Sequence, residues 1–434
     1  MKKIVFLGLL TIVLALPAKV TLSQAVANAW RLNRGLQNQR YQAEAAGMSK
    51  LTAMAQKKFS VYFNGSYRYS SDKVEVKASD FAIPTSTSIP PGTILLSAPA
   101  DNFDLKLSLL QPVFSGGVLS NAVKIEELRE VSELDLTRLK QIEVTGKVKV
   151  SYFSYRLACK KRDALVFFLS NLNLHLGKLE NLFREELLKK TDLLETRAKV
   201  DETKLNLQDL EQLLKAEALN FENLCGYSPL DISGAASEST EGYAQAWEFF
   251  KANHPLLNSL AERARIFQVQ KKSIAGSYLP QLSVFTEMHY GRPGQNFFKD
   301  QWVFYVQGGL SLTMPLFIWN KSDRDKSLVD IAARQLENQR LDFIESSEKS
   351  LRQLFLLKEA SENKLRLIDN LVGYAAEGVQ MKEKLFEENQ IDHTDYLAAL
   401  TTHERYLVNR EELLAQMEVL KVNIHTLIGK AEEE

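Results

Sequence analysis

The chain has 434 residues, with 54 basic and 54 acidic side chains and a formal net charge of zero, which argues against a general nucleic-acid binder. Length alone suggests two or three domains. Only 11 prolines and 20 glycines are spread over it, and long segments contain neither, a composition that favours long helices.

The N-terminus reads MKKIVFLGLLTIVLALPAKV, with Lys2 and Lys3 before an apolar core from Ile4 to Leu16 and Ala18 as the small residue before cleavage. This is the pattern of a signal peptide over residues 1–18, and its 13 apolar positions are short of the ~20 that a membrane-spanning helix needs. No cysteine follows the run, so no lipid anchor is expected, and no later stretch resembles a transmembrane helix.

After a first helical segment, Phe59, Val61, Phe63, Gly65, Tyr67 and Tyr69 alternate with Asn64, Ser66, Arg68 and Ser70. The period of two predicts a strand over about 59–70. IPTSTSIPPGT then reads as an exposed loop. Phe103, Leu105, Leu107 and Leu109 alternate with Asn102, Asp104, Lys106 and Ser108, predicting a second strand over about 101–113. At its end, Pro112 is expected to stop sheet pairing, with Gly116 and Gly117 turning the chain into a helix. From Val118 to about Leu182 there is no proline and only two glycines, Gly146 and Gly177. A helix of those 65 positions would reach roughly 97 Å. A return helix follows, with Leu210, Leu213, Leu214, Phe221 and Leu224 as an apolar stripe; such stripes are seams for packing against other helices.

The same order then recurs. Leu107, Ser108, Leu109, Pro112 and Phe114 return 203 positions later as Leu310, Ser311, Leu312, Pro315 and Phe317, and Thr191-Asp192 returns as Thr394-Asp395. Near the start of each half, Asn33 and Leu36 match Asn253 and Leu256 at an offset of 220, and the first connection between strands is 18 residues longer than the second. The chain therefore divides into a first repeat over 19–226, a second over 227–429 and a charged tail over 430–434. The second repeat carries strands at about 281–290 and 301–314 and a hairpin at about 321–428, with Asn320 as the cap of its long helix. A half-buried sheet of a soluble α+β protein gives the same alternation. Each run is nevertheless about ten residues, the length of a tilted membrane strand. Four strands cannot close a pore by themselves, so several chains would have to share one barrel.

The order of motifs resembles the TolC-like outer-membrane efflux protein family over about Val20 to Gly429. The stretches that carry the resemblance are VTLSQAVANAWRLNRGLQNQR and EGYAQAWEFFKANHPLLNSLAERA, then SYLPQLSVF, LSLLQPVFSGG and LSLTMPLFIWN, and the hairpins LLKKTDLLETRAKVDETKLNLQDLE and QIDHTDYLAALTTHERYLVNREELL. The resemblance implies a mainly α fold with membrane β: a homotrimer in which each protomer gives four strands to a twelve-stranded outer-membrane barrel and long hairpins to an α-helical periplasmic tunnel. It also implies the exit duct of a tripartite efflux or type I secretion system, met by a periplasmic adaptor (membrane fusion) protein and an inner-membrane transporter. A trimeric periplasmic coiled-coil scaffold or adaptor without a pore is the alternative.

No convergent reactive groups point to an enzyme. The six histidines, His175, His254, His289, His393, His403 and His425, form no HxxxH pair, and there is no phosphate loop; neither cofactor nor metal is expected. Cys159 and Cys225 are expected as free thiols, too few and too far apart for a framework. At the periplasmic turns, Thr191 and Thr394 are expected as N-caps and Asp192 and Asp395 as first-turn acids. In a trimer these carboxylates would also ring the tunnel entrance and bias ion passage. Where the family closes its entrance with a Tyr and an Arg, this sequence has Phe386 and Ile391, which cannot make the polar bonds, and a further family Asp position is Ala398. An apolar or looser gate is expected. Leu187, Leu188, Leu194 and Leu397, around the turns, are the candidates for adaptor docking.

Overall fold

The computed structural model describes residues 20–81, 89–90, 92–186, 188–233, 241–388 and 390–430. The expected signal peptide, Leu187, much of the loop that follows the first strand and residues 431–434 of the tail lie outside the described residues.

The chain opens with β1 (Val20–Thr21), α1 (Leu22–Leu32) and α2 (Arg34–Ala55), then β2 (Ser60–Tyr69), a small hairpin of β3 (Glu75–Lys77) and β4 (Ile94–Ser97), and β5 (Asp101–Phe114). Next come α3 (Val118–Arg184), α4 (Lys190–Cys225) and β6 (Ile232–Ser233). The second half runs through α5 (Tyr243–Asn253), α6 (Pro255–Gly276), β7 (Gln281–Arg292), β8 (Val303–Thr313), α7 (Lys321–Glu387) and α8 (His393–Ile428).

The repeat is visible in the element lengths. The helices α3 and α7 both have 67 residues, and α4 and α8 both have 36, each copy beginning 203 positions after its twin. Earlier in each half, α1 and α5 have 11 residues and α2 and α6 have 22, offset by 221. The sequence offset of 220 is thus corrected by one: Asn33, the C-cap of α1, corresponds to His254, the C-cap of α5, and not to Asn253. Matching asparagine to asparagine was misleading because the shared feature is a side-chain acceptor at the break between two helices. Asn33 Oδ1 accepts from the Leu36 N–H at 2.9 Å, and His254 Nδ1 accepts from the Leu256 N–H at 3.2 Å.

Two compact units divide the chain, one of Met1–Tyr41, Leu134–Asn258 and Arg340–Glu434, the other of Gln42–Glu133 and Ser259–Gln339. The second unit holds a four-stranded antiparallel sheet in the order β2-β5-β7-β8. Because paired residues point to one face, its register sorts the side chains. One face carries Phe63, Leu105, Leu107, Leu109, Tyr290, Phe304, Val306, Leu310 and Leu312, all exposed. The other carries Asn64, Ser66, Asp104, Lys106, Ser108, Glu287, His289, Tyr305 and Gln307. Helical segments of the same unit are tied by a 2.8 Å hydrogen bond between the buried Ser132 and Ser259 hydroxyls and by the Lys50–Glu130 ion pair at 2.8 Å.

The first unit is helical. Ala25, Val26, Ala29, Val148, Tyr152, Phe221 and Cys225 form one core, and Ala246, Phe250, Leu351, Ile424 and Ile428 form its counterpart in the second repeat. Cys225 and Cys159 are free thiols, and Cys225 Sγ donates to the Phe221 carbonyl. Both α4 and α8 end on a glycine in the left-handed region, Gly226 (φ 72°) and Gly429 (φ 76°), where a Cβ is costly. No described helix is long and apolar enough to cross a membrane.

Candidate functional site

Three places carry the expected site residues: the strand-to-helix corners, the polar face of the sheet, and the turns between the long helices.

At the first corner, Gly116 and Gly117 have φ of 61° and 83°, and the helix begins at Val118. A Cβ built on Gly116 would collide with the Gly276 carbonyl oxygen, and one built on Gly276 would collide with that of Gly116. Gly276 closes α6, and nothing in its local sequence marks it, because its requirement comes from a neighbour 160 positions away. Pro112 does not end the strand. The β2 pairing stops at Leu110, but β5 continues through an irregularity between Pro112 and Phe114 and still pairs with β7 at Leu282. The missing donor is absorbed at a bulge, which a proline tolerates. Pro315 lies two residues beyond the end of β8 at Thr313. At the second corner the positions of the two glycines are held by Trp319 and Asn320, at φ of 52° and 53°. Asparagine is tolerated in the left-handed region, but a tryptophan there is strained. Trp319 is exposed beside the exposed Leu316 and Phe317, whose ring lies 5.0 Å away.

On the polar face of the sheet, His289 bonds through Nδ1 to Asp104 at 3.0 Å and stacks on Tyr305 at 4.7 Å. Lys106 pairs with Glu287 at 3.0 Å. Lys106 and Glu287 are thus matched locally on this face, while Asp101 and Arg292, at the strand ends, fall in register with the other face. No group of His, Cys, Asp and Glu able to hold a metal occurs among the described residues.

At the turns, α3 ends at Arg184 and α4 begins at Lys190, and the second turn lies between Glu387 and His393. The capping expectation is corrected: the N-caps are Lys189 and Asp392, neither with a side-chain cap bond. Each helix starts earlier than expected, so Thr191 and Thr394 are second helical residues, and Thr191 Oγ1 donates sideways to Asp192 Oδ1 at 3.0 Å. Asp192 and Asp395 do lie in the first turns, where the helix dipole favours them. Thr191, Thr394 and Asp395 are exposed, as is Leu194 at 52%. Leu188, Ile391 and Leu397 pack partly buried against a core of Phe168, Leu172, Leu179, Leu193, Val200, Phe386, Tyr396 and Leu400. Phe386 is thus inside the chain's own core.

Inside that core is a polar chain the sequence reading missed. His175 Nε2 lies 2.8 Å from His393 Nδ1, and His393 Nε2 lies 2.9 Å from Thr196 Oγ1, which donates to the Asp192 carbonyl at 3.1 Å. His175, Thr196 and His393 are all buried. Burial, then the nearby positive groups of His393 and Lys178, push the His175 imidazole down to about 3. Burial also lowers His393, against the raising effect of Asp192 and Glu195. The available signal was a mismatch between copies: the twins of His175, His393 and Thr196 are Gly378, Lys190 and Ala399.

No protein-family model matches the chain, and no curated protein matches it. Among solved structures, the chain is similar to the outer membrane protein VceC of Vibrio cholerae, at 12% identity over 94% of this chain and 96% of that one, with a TM-score of 0.73. It is similar to the CmeC outer membrane channel of Campylobacter jejuni at 13% identity, covering 95% of this chain and 87% of that one, TM-score 0.71. The open state of the MtrE outer membrane channel of Neisseria gonorrhoeae gives 10% identity over 95% and 89%, TM-score 0.73. Paired strands and duplicated long hairpins, matched over nearly the whole length of both chains, give this protein the fold of the TolC-like outer-membrane channels.

Proposed function

We propose that the chain is a protomer of a homotrimeric outer-membrane channel, a passive exit duct for an efflux or type I secretion system. The observation that carries this reading is the sheet: four strands with two unpaired outer edges, β2 and β8, and one face of exposed Phe, Tyr, Leu and Val. Open edges are not tolerated in lipid, and four strands are half the smallest membrane barrel. Joining β8 of one copy to β2 of the next closes the edges, and three copies give twelve strands. The apolar face then meets outer-membrane lipid and the polar face lines the lumen. The long helices would continue as a periplasmic tunnel. At its mouth, Asp192 and Asp395 would bias ion passage, and Leu194 offers an apolar contact for a periplasmic adaptor coupled to an inner-membrane transporter. The duct would carry out no reaction of its own and need no cofactor.

The test is extraction and reconstitution. The protein should require detergent, migrate as a heat-modifiable trimer and conduct ions in planar bilayers. Full solubility without detergent together with no conductance would favour the alternative, a trimeric periplasmic scaffold or adaptor without a pore.

A further inference from the structure

The buried polar chain at the turns joins the two repeats, and its protons can be assigned. The Thr196 hydroxyl has one proton, given to the Asp192 carbonyl, so towards His393 Nε2 it accepts and that nitrogen carries hydrogen. A neutral His393 then has a bare Nδ1, which accepts from His175 Nε2–H. Every proton is used once. The rings of His175 and His393 stack at 4.9 Å, and Phe386 and Tyr396 pack edge-on against His175 at 5.3 and 4.7 Å. Side chains from α3, α4, α7 and α8 therefore meet at one bond line.

We propose that the His175–His393–Thr196 chain is an acid-labile tie that fastens the second hairpin's turn to the first, and that protonation of the histidine pair releases it. An added proton on His393 Nδ1 sets N–H against N–H unless His175 moves its own proton to its other nitrogen. A second proton leaves no such escape, because two cationic rings then face each other across a 2.8 Å contact. The charged groups around the pair are Lys178 on α3, Asp192 and Glu195 on α4, and Glu383 and Glu387 on α7, with Tyr396 on α8. The two carboxylates of α4 favour the first proton on His393. On the far side, Lys178 is held by Glu383 at 3.1 Å and Glu387 at 2.7 Å. The tie has no counterpart at Gly378, Lys190 and Ala399, so only one of the two turns is controlled in this way.

Hydrogen exchange of the full-length protein in detergent, corrected for the intrinsic pH dependence of exchange, tests the tie. Between pH 7.5 and 5, protection of peptides covering 168–184, 190–200 and 393–403 should fall about tenfold or more, while peptides from β5 and β7 hold theirs. His393→Gln supplies an N–H for Thr196 and an oxygen for His175 without a titrating group, so its acid response should shrink at least about threefold. Should His393→Gln be unprotected already at pH 7.5, His175→Phe, which keeps the ring packing and removes the opposing donor, should show the same blunted response. A flat wild-type profile overturns the proposal, as does an undiminished response in the variants. Acid-raised conductance in bilayers rests on the channel reading; the exchange result stands without it.

Discussion

Gly116 and Gly276 approach so closely that neither has room for a Cβ, each facing the other's carbonyl oxygen. Gly116 is also left-handed at φ 61°. The contact sets the end of α6 against the start of α3 within the sheet-bearing unit. Substituting alanine at Gly276 should cost about 1–3 kcal/mol by overpacking, and at Gly116 more, since the backbone is strained as well. Loss of midpoint in thermal or denaturant unfolding measures it; a neutral Gly276→Ala would mean that the corner relaxes freely.

The two faces of the sheet should respond oppositely to charge. Arginine in place of Leu107, on the apolar face, should cost about 2–4 kcal/mol if that face meets lipid near the midplane. Ser66→Arg, on the polar face directly opposite Asp104, should be accepted, since opposite charges across a strand pair are favourable. The yield of folded, membrane-extracted protein distinguishes them, and equal yields would remove the lipid assignment.

Much of this arrangement was legible in the sequence. Alternation of Phe103, Leu105 and Leu107 against Asp104 and Lys106 marks a two-sided strand because the pleat has a period of two, and absence of proline marks the long helices. What escaped were features made by pairs distant in the chain. Gly276 matters only through Gly116. His175 and His393 are 218 positions apart. Thr191 looked like a cap because threonine is a good one, but the helix starts before it. Pro112 looked terminal because proline lacks a ladder donor, but only the β2 pairing has ended, at Leu110, and the β7 pairing runs on to Phe114.

A third buried histidine of the helical unit, His254, adds to its acid sensitivity. His254 sits among Phe250, Phe343 and Gly429 and accepts from the Leu256 N–H at the start of α6. Burial pushes its imidazole from 6.5 to about 4. Below 6.5 the unfolded chain binds the proton and the folded one does not, so stability falls with falling pH, at most about 1.4 kcal/mol per unit, and levels off below about 4. His254→Asn copies the cap used by its twin Asn33 and should lessen the slope of the stability profile across that window, the part due to His175 and His393 remaining. Chemical unfolding at several pH values reads it, and an unchanged slope would assign the acid loss elsewhere.

Asp192→Ala combined with Asp395→Ala should shift the reversal potential of the reconstituted channel away from cations. Each substitution should also cost about 0.3–1 kcal/mol through the lost first-turn charge. Unchanged ion preference with the stability loss retained would leave these residues a helix-dipole role alone.

The equal lengths of the twin helices have a mechanical meaning. The two copies differ at Gly116 and Trp319, at His175 and Gly378, and at Lys190 and His393, yet both retain 67 and 36 residues. One inserted residue advances a helix by about 100° of rotation. In α3 it would swing His175 off the axis it shares with His393 and turn every later contact with it. Residue count thus works as angular phase. Whole-hairpin exchanges between copies keep that phase, and single insertions do not, however conservative the residue added.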